Sequence, residues 1–269
     1  MLLTIKMLGS QIRNKIEKKV FSRKQNIYMK DMSFSEAFKA FPSRNDLHAY
    51  MHHYSYQILD EDLQRHRRYF SLESRGFGED AFHAMWFILF RDFKPSNVLE
   101  IGVYRGQVLS LWALLANKLG FNCDVHGISP FTSAGDDVSS YKEDIDYYDD
   151  VLKHHTYFGL KSPTLFKGFS NEPGAVDYIK KRSWDLIYID GGHDFEVVRH
   201  DYLICRDRLS ENGILVIDDS SLYTDFNPPR FSFAGHPGPS QVIKDLAMNE
   251  LTFLGGVGHN NVFIKKSES

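Results

Sequence analysis

Three short segments hold the residues whose types and spacing suit chemistry. The first, Val98-Leu-Glu-Ile-Gly-Val-Tyr-Arg-Gly-Gln107, runs from an apolar strand pattern into a turn where Gly102 and Gly106 let the backbone approach a ligand before a helix begins. Its spacing is G-x-x-x-G, not the G-x-G-x-x-G of dinucleotide-binding folds, and Glu100 precedes the first glycine. A carboxylate there repels a pyrophosphate and favours a cationic ligand, such as a sulfonium that also carries an amino group. The second segment, Trp184-Asp-Leu-Ile-Tyr-Ile-Asp-Gly-Gly-His-Asp194, delivers Asp190 at the end of a buried strand and His193 three residues later. The third, Gly213-Ile-Leu-Val-Ile-Asp-Asp219, delivers Asp218 and Asp219 in the same way.

Neighbouring strands lie about 4.8 Å apart. If the second and third segments are neighbours, Asp190, Asp218 and Asp219 converge on the edge where ligands of open α/β sheets bind. Carboxylates crowded together either take up protons or hold a cation, and an all-oxygen set suits Mg²⁺, Mn²⁺ or Ca²⁺.

Together, the glycine turn, Asp-Gly-Gly-His after one strand and Asp-Asp after the next resemble class I S-adenosylmethionine-dependent methyltransferases. Within that class they are most similar to the metal-dependent O-methyltransferases that act on sugars of macrolide antibiotics and surface glycans. The resemblance covers roughly residues 80–269. It implies that Asp190, Asp218 and Asp219 hold Mg²⁺ or Mn²⁺ and that His193 is the general base. It places S-adenosylmethionine along Glu100, Gly102, Tyr104 and Gly106, with Ser129 at the ribose and Ser170 at the polar edge of the adenine. Two positions depart from the family pattern: Ser129 stands where an acid is expected, and Phe169, which could cover the adenine face, stands where an acid is frequent. The implied reaction is methylation of a sugar hydroxyl, a weak nucleophile that needs polarisation and a base near neutral pH. Methylation of a small phenol keeps the metal and changes the acceptor. A non-catalytic protein retaining the fold is the reading from another class.

The elements that must position these residues follow from periodicity. From residue 97, short apolar runs at Asn97–Ile101, Cys123–Ile128, Thr164–Lys167, Trp184–Asp190 and Gly213–Asp218 alternate with helical patterns at Gln107–Leu119, Pro173–Lys181 and Phe195–Arg208. Such alternation predicts a doubly wound, Rossmann-like α/β sheet. Leu251–Gly255 and Val262–Lys265 flank a turn-rich connector and predict an antiparallel last strand. Residues 33–93 read as helices: Ser33 caps Phe34–Phe41, Asn45 or Asp46 opens a stretch through Leu59, and Glu79 leads into an apolar run ending near Phe93. His48, His52 and His53 there read as helix-surface histidines. The division expected is a helical N-terminal region over 1–80 and a methyltransferase domain over 81–269.

Composition sets the outer limits. With 269 residues, 42% hydrophobic and 25% charged, the chain is globular, not disordered or collagen-like. A net charge of −3 argues against a nucleic-acid partner held by phosphate neutralisation. Residues 1–30 nevertheless carry eight Lys/Arg against Glu17 alone, with Ile5, Leu8, Ile12, Ile16 and Val20 at helical spacing. This basic amphipathic helix is expected to pack on the domain or on a second subunit of a homo-oligomer; peripheral contact with an anionic membrane is the other reading. Cys123 and Cys205 lack metal or disulfide spacing and read as small buried hydrophobes in a reducing cytosol. No apolar run approaches bilayer length, and no secretory signal is expected, so the chain is placed in the cytoplasm. Two loops flank the site: an acidic one over 130–150, and a lid over 220–240 whose Tyr223, Phe226, Arg230, Phe231, Phe233 and His236 suit an acceptor pocket.

Overall fold

Helix starts follow from their caps. In the computed structural model, which describes residues 12, 13, 16–18, 30–133, 141, 142 and 144–265, Ser33 and Glu36 form a reciprocal capping box that opens α1 (Phe34–Ala40). Ser43 caps α2 (Arg44–Gln57), and Asp60 accepts the Leu63 N–H to start α3 (Glu61–Phe70), a helix the periodicity did not separate. The apolar run beginning at Asp80 forms α4 (Asp80–Phe93), which stops at Lys94 in a left-handed conformation just before Pro95.

The alternating segments follow: β1 (Asn97–Ile101), α5 (Gln107–Leu119), β2 (Asp124–Ser129), α6 (Tyr147–Tyr157), β3 (Thr164–Lys167), α7 (Pro173–Lys180), β4 (Trp184–Ile189), α8 (Phe195–Arg208) and β5 (Leu209–Ile217). The stretch expected to be a lid over 220–240 ends in α9 (Pro237–Val242), and a π-helical turn over Ile243–Ala247 and the hairpin β6 (Thr252–Val257) and β7 (Asn260–Ile264) follow. The sheet order is β3-β2-β1-β4-β5-β7-β6, with β1 to β5 parallel and β7 antiparallel to both β5 and β6. This is the expected doubly wound sheet with its antiparallel end. α6 begins inside the stretch expected to be an acidic loop, because Asp146 caps it and Asp149 and Asp150 sit in its first turn, where acids favour the helix dipole.

Side chains alternate across the sheet. Leu186, Tyr188, Val216 and Val262 face a core shared with Leu47, Met51, Trp86, Phe90 and Trp112, so the N-terminal helices and the sheet bury one continuous apolar cluster. Ile187, Ile189, Leu215 and Ile217 face the other side, against Ile179, Tyr202 and Cys205. Cys123 is half-buried. His48, His52 and His53 are buried rather than on a helix surface. The reason is tertiary: α2 lies between α4, β6 and the lid, where Phe226 packs edge-on against His48 and Phe231 stacks on His52. Burial pushes the His52 imidazole down to about 4 and keeps it neutral.

Most of the basic amphipathic helix expected over 1–30 lies outside the described residues. Ile12 and Ile16 are exposed, and the Lys18 ammonium lies 3.0 Å from Asp80. Among the described residues, no helix is long and apolar enough to cross a membrane.

Register brings the chemistry to one edge. Ile101, Ile189 and Ile217 are level across β1, β4 and β5, and the ladder continues through Asp190 N–H to Ile101 O (2.8 Å) and Asp218 N–H to Ile189 O (3.0 Å). Because β7 runs antiparallel to β5, the β6–β7 turn returns to that same edge, where Ser220 N–H donates to His259 O at 2.9 Å. Arg44, at the start of α2, clamps this turn. Its guanidinium donates to Ser221 Oγ (2.9 Å), Gly258 O (3.2 Å), Asn260 O (3.3 Å) and Asn261 Oδ1 (2.7 Å), and burial pushes it down to about 10. Arg44→Met is expected to destabilise the protein by about 2–3 kcal/mol, since its buried acceptors lose a charged donor. Urea unfolding measures this, and a loss below about 1 kcal/mol would refute the clamp.

Candidate active site

A cavity of about 520 Å³ opens at the carboxyl ends of β1, β4 and β5. The glycine turn forms one wall. Gly102 has φ of 99°, and a Cβ there would lie 1.9 Å from the Asp190 carbonyl oxygen, so only glycine lets the β1 turn pass the β4 turn. Gly106 is the N-cap residue of α5. Glu100, Gly102, Tyr104 and Gly106 all line the cavity, with the Tyr104 ring 4.8 Å from that of Phe77. Glu100 is 3% exposed, and burial, reinforced by Asp218, pushes its carboxyl up to about 8. A buried acid with one oxygen lacking a hydrogen-bond partner is a place where an arriving cation is welcome.

Beside the glycine turn, the cavity is also lined by the carboxylates and three histidines. Asp190, Asp218, Asp219 and His193 line the cavity together, as the strand pattern predicted. Burial, and then the charges of Asp218, Asp219 and Glu100, raise Asp190 well above the usual carboxylate range. Asp219 goes the other way: burial alone would raise it, but hydrogen bonds from His193 and His259 hold it well below that range. His193 Nε2 lies 2.7 Å from Asp219 Oδ2, and His236 Nε2 lies 3.8 Å from the same oxygen. His259 Nδ1 lies 2.8 Å from Asp218 Oδ1 and 3.0 Å from Asp219 Oδ1. Burial would favour the neutral His259 ring, yet Asp218, Asp219 and Glu79 raise its pKa well above the ordinary value.

These donors fit a divalent cation. Ligand atoms of Asp218, Asp219 and His259 lie within 4.8 Å of one another, and so do those of His193, Asp219 and His236. Asp190 belongs to neither group; its carboxyl is hydrogen-bonded to that of Asp218. The expected all-oxygen trio therefore shares one wall, but the closest sets each contain histidine.

Other expected contacts lie elsewhere. Ser129 is buried and Ser170 is hydrogen-bonded to Asp201 on α8; neither lines the cavity, and Phe169 is largely exposed. Of the lid residues, Arg230, Phe231, Phe233 and His236 line the cavity. Tyr223 instead stands exposed near Lys244, and Phe226 is buried on His48. The lid is pinned at its base by Ser221 N–H to Ala234 O (2.9 Å) and His236 N–H to Asp219 O (2.7 Å).

Sequence reasoning missed His259 and Glu79. His259 had a legible signal: a titratable residue in the hairpin turn before a strand antiparallel to β5 must share the edge that bears Asp218. Glu79 had none, because its place depends on how α4 packs on the sheet.

Residues 99–220 match the family model of a methyltransferase domain. No curated protein matches the chain. Among solved structures, the chain is similar to the SAH-bound methyltransferase PaMTH1 of Podospora anserina (TM-score 0.52, 14% identity, covering 78% of this chain and 89% of that one). It is likewise similar to the O-methyltransferase TomG of Streptomyces achromogenes, involved in tomaymycin synthesis and solved with SAM (0.53, 13%, 80% and 94%). A third is the O-methyltransferase of Bacillus cereus solved with SAH (0.53, 13%, 79% and 95%). Identities this low speak for shared architecture. The chain thus shares the Rossmann-like fold of these methyltransferases, and residues 99–220 are the part that matches the methyltransferase-domain model.

Proposed function

We propose that the chain transfers a methyl group from S-adenosylmethionine to a hydroxyl oxygen of a sugar, with a divalent cation, Mg²⁺ or Mn²⁺, at Asp190, Asp218 and Asp219 and His193 as general base. The observation that carries this reading is one cavity lined both by the glycine turn with Glu100 and by the Asp cluster with His193, inside a chain whose residues 99–220 match a methyltransferase domain.

Each group has a role that its surroundings favour. The Gly102 turn admits the cofactor close to the backbone. Glu100, dry and next to the turn, favours the cationic end of S-adenosylmethionine. Asp219 orients the His193 ring through its 2.7 Å contact and stabilises the imidazolium formed when His193 takes the hydroxyl proton. Bound at the carboxylates, a divalent cation would lower the pKa of the acceptor hydroxyl. Methyl transfer from sulfur to oxygen is a single displacement, so holding the reacting atoms in line is the remaining task. Phe231, Phe233 and Arg230 at the lid offer apolar faces and a planar donor, which suit a sugar ring. Ser129 and Ser170, outside the cavity lining, are proposed to reach the nucleoside only as the cofactor seats.

Methyl transfer from labelled S-adenosylmethionine to a sugar acceptor is expected to vanish with a chelator and to fall at least about 100-fold in Asp218→Asn. Cofactor affinity by calorimetry should change less than threefold; chelator-insensitive turnover would refute the cation's role. His193→Ala is expected to lower kcat by about 10²- to 10³-fold without weakening the cofactor. Turnover equal to that of the unaltered protein would remove His193 as base, and faster turnover on catechols than on sugars would reassign the acceptor.

A further inference from the structure

Glu79 occupies the N-cap position of α4 but makes no capping hydrogen bond with its side chain. Its buried carboxylate instead lies between two imidazoles: Oε2 is 3.0 Å from His48 Nε2, and Oε1 is 3.6 Å from His259 Nε2. The far nitrogen of His259, Nδ1, faces the converging oxygens of Asp218 and Asp219 at 2.8 and 3.0 Å. A carboxylate behind one ring nitrogen, with two oxygen donors gathered at the other, is the arrangement by which proteins orient a metal-binding histidine.

The turn that carries His259 is built to hold that aim. Gly258 has φ of 58°, and a Cβ there would meet the Phe82 ring at 2.9 Å. Arg44 fixes the carbonyls on either side of His259, at Gly258 and Asn260. The imidazole is gripped by Phe82, edge-on at 4.7 Å between ring centroids, and by Phe233 at 4.6 Å. A ring so fixed, with its ligand atom and one oxygen from each aspartate within 4.8 Å of one another, presents a nitrogen and two oxygens to a single point.

We propose that His259 is a direct ligand of the divalent cation, together with Asp218 and Asp219, and that Glu79 positions it. The proposal rests on the cation reading of the previous section and adds a nitrogen to its ligand set. Imidazole binds Mn²⁺, Co²⁺ and Zn²⁺ with growing preference and adds little for Mg²⁺, so the centre favours a transition metal over Mg²⁺.

The test uses the full chain, stripped of metal and titrated with Mn²⁺, and reads binding rather than turnover. Pulsed electron paramagnetic resonance of the Mn²⁺ complex is expected to show a directly coordinated nitrogen whose coupling changes when histidine is labelled with ¹⁵N. In His259→Asn the coupling should disappear and Mn²⁺ affinity should fall more than about 100-fold, with Mg²⁺ affinity moving less than threefold. A nitrogen signal that persists in His259→Asn assigns it to another histidine and overturns the proposal. So does a wild-type complex with no nitrogen signal, which leaves an all-oxygen cation site standing. Failure of the wild-type chain to bind Mn²⁺ or Co²⁺ at all would remove the cation reading itself. Should His259→Asn not fold, Glu79→Gln keeps the ligand set. It is expected to retain the nitrogen coupling and lose about tenfold in Mn²⁺ affinity; an unchanged affinity overturns the positioning role.

Discussion

Five carboxylates, those of Glu79, Glu100, Asp190, Asp218 and Asp219, meet around one cavity. Two like charges about 4 Å apart at an effective dielectric near 20 repel by about 4 kcal/mol, a large share of the stability of any single domain. The cluster survives because it is partly neutral and partly paired. Glu100 and Asp190 hold their protons because burial and the neighbouring carboxylates favour the neutral form, while Asp219 and Glu79 remain ionised against imidazole partners. The cavity is therefore poised for positive charge from a cofactor, a metal ion or a protonated ring.

Much of the architecture follows from delivering those partners. β7 inserts antiparallel between β5 and β6, and this returns the hairpin turn with His259 to the edge where β5 releases Asp218 and Asp219. The N-terminal helices do more than cover the sheet. α2 supplies Arg44 to clamp the turn and His48 to hold Glu79, and α4 supplies Glu79 itself. Sharing one apolar core with the sheet gives these helices the rigidity that such placement requires.

The lid is tied to the same helices. Phe226 and Phe231 rest on His48 and His52, Lys18 lies 5.3 Å over the Phe231 ring, and the lid's base is pinned to the backbone of Asp219. A displacement of the lid would thus be felt at the Asp pair. Burial keeps His52 neutral, so the underside of the lid packs on a ring that carries no charge.

Local rules read from the chain account for the parallel strands, the helices between them, the glycine turn and the meeting of Asp190, Asp218, Asp219 and His193, because strand ends and turns depend on short-range patterning and parallel neighbours share one edge. The same rules placed His48, His52 and His53 on a surface, read His259 as part of a connector and grouped Tyr223 and Phe226 with the acceptor pocket. Those assignments turn on which faces meet across a separation of tens to hundreds of residues, and periodicity carries no information about the partner. The sequence by itself determined the sheet, its order of chemistry along the strands and the carboxylates at its edge. Only the tertiary structure decided how that charge is balanced, since compensation depends on distances between residues such as Glu79 and His259 that packing alone creates.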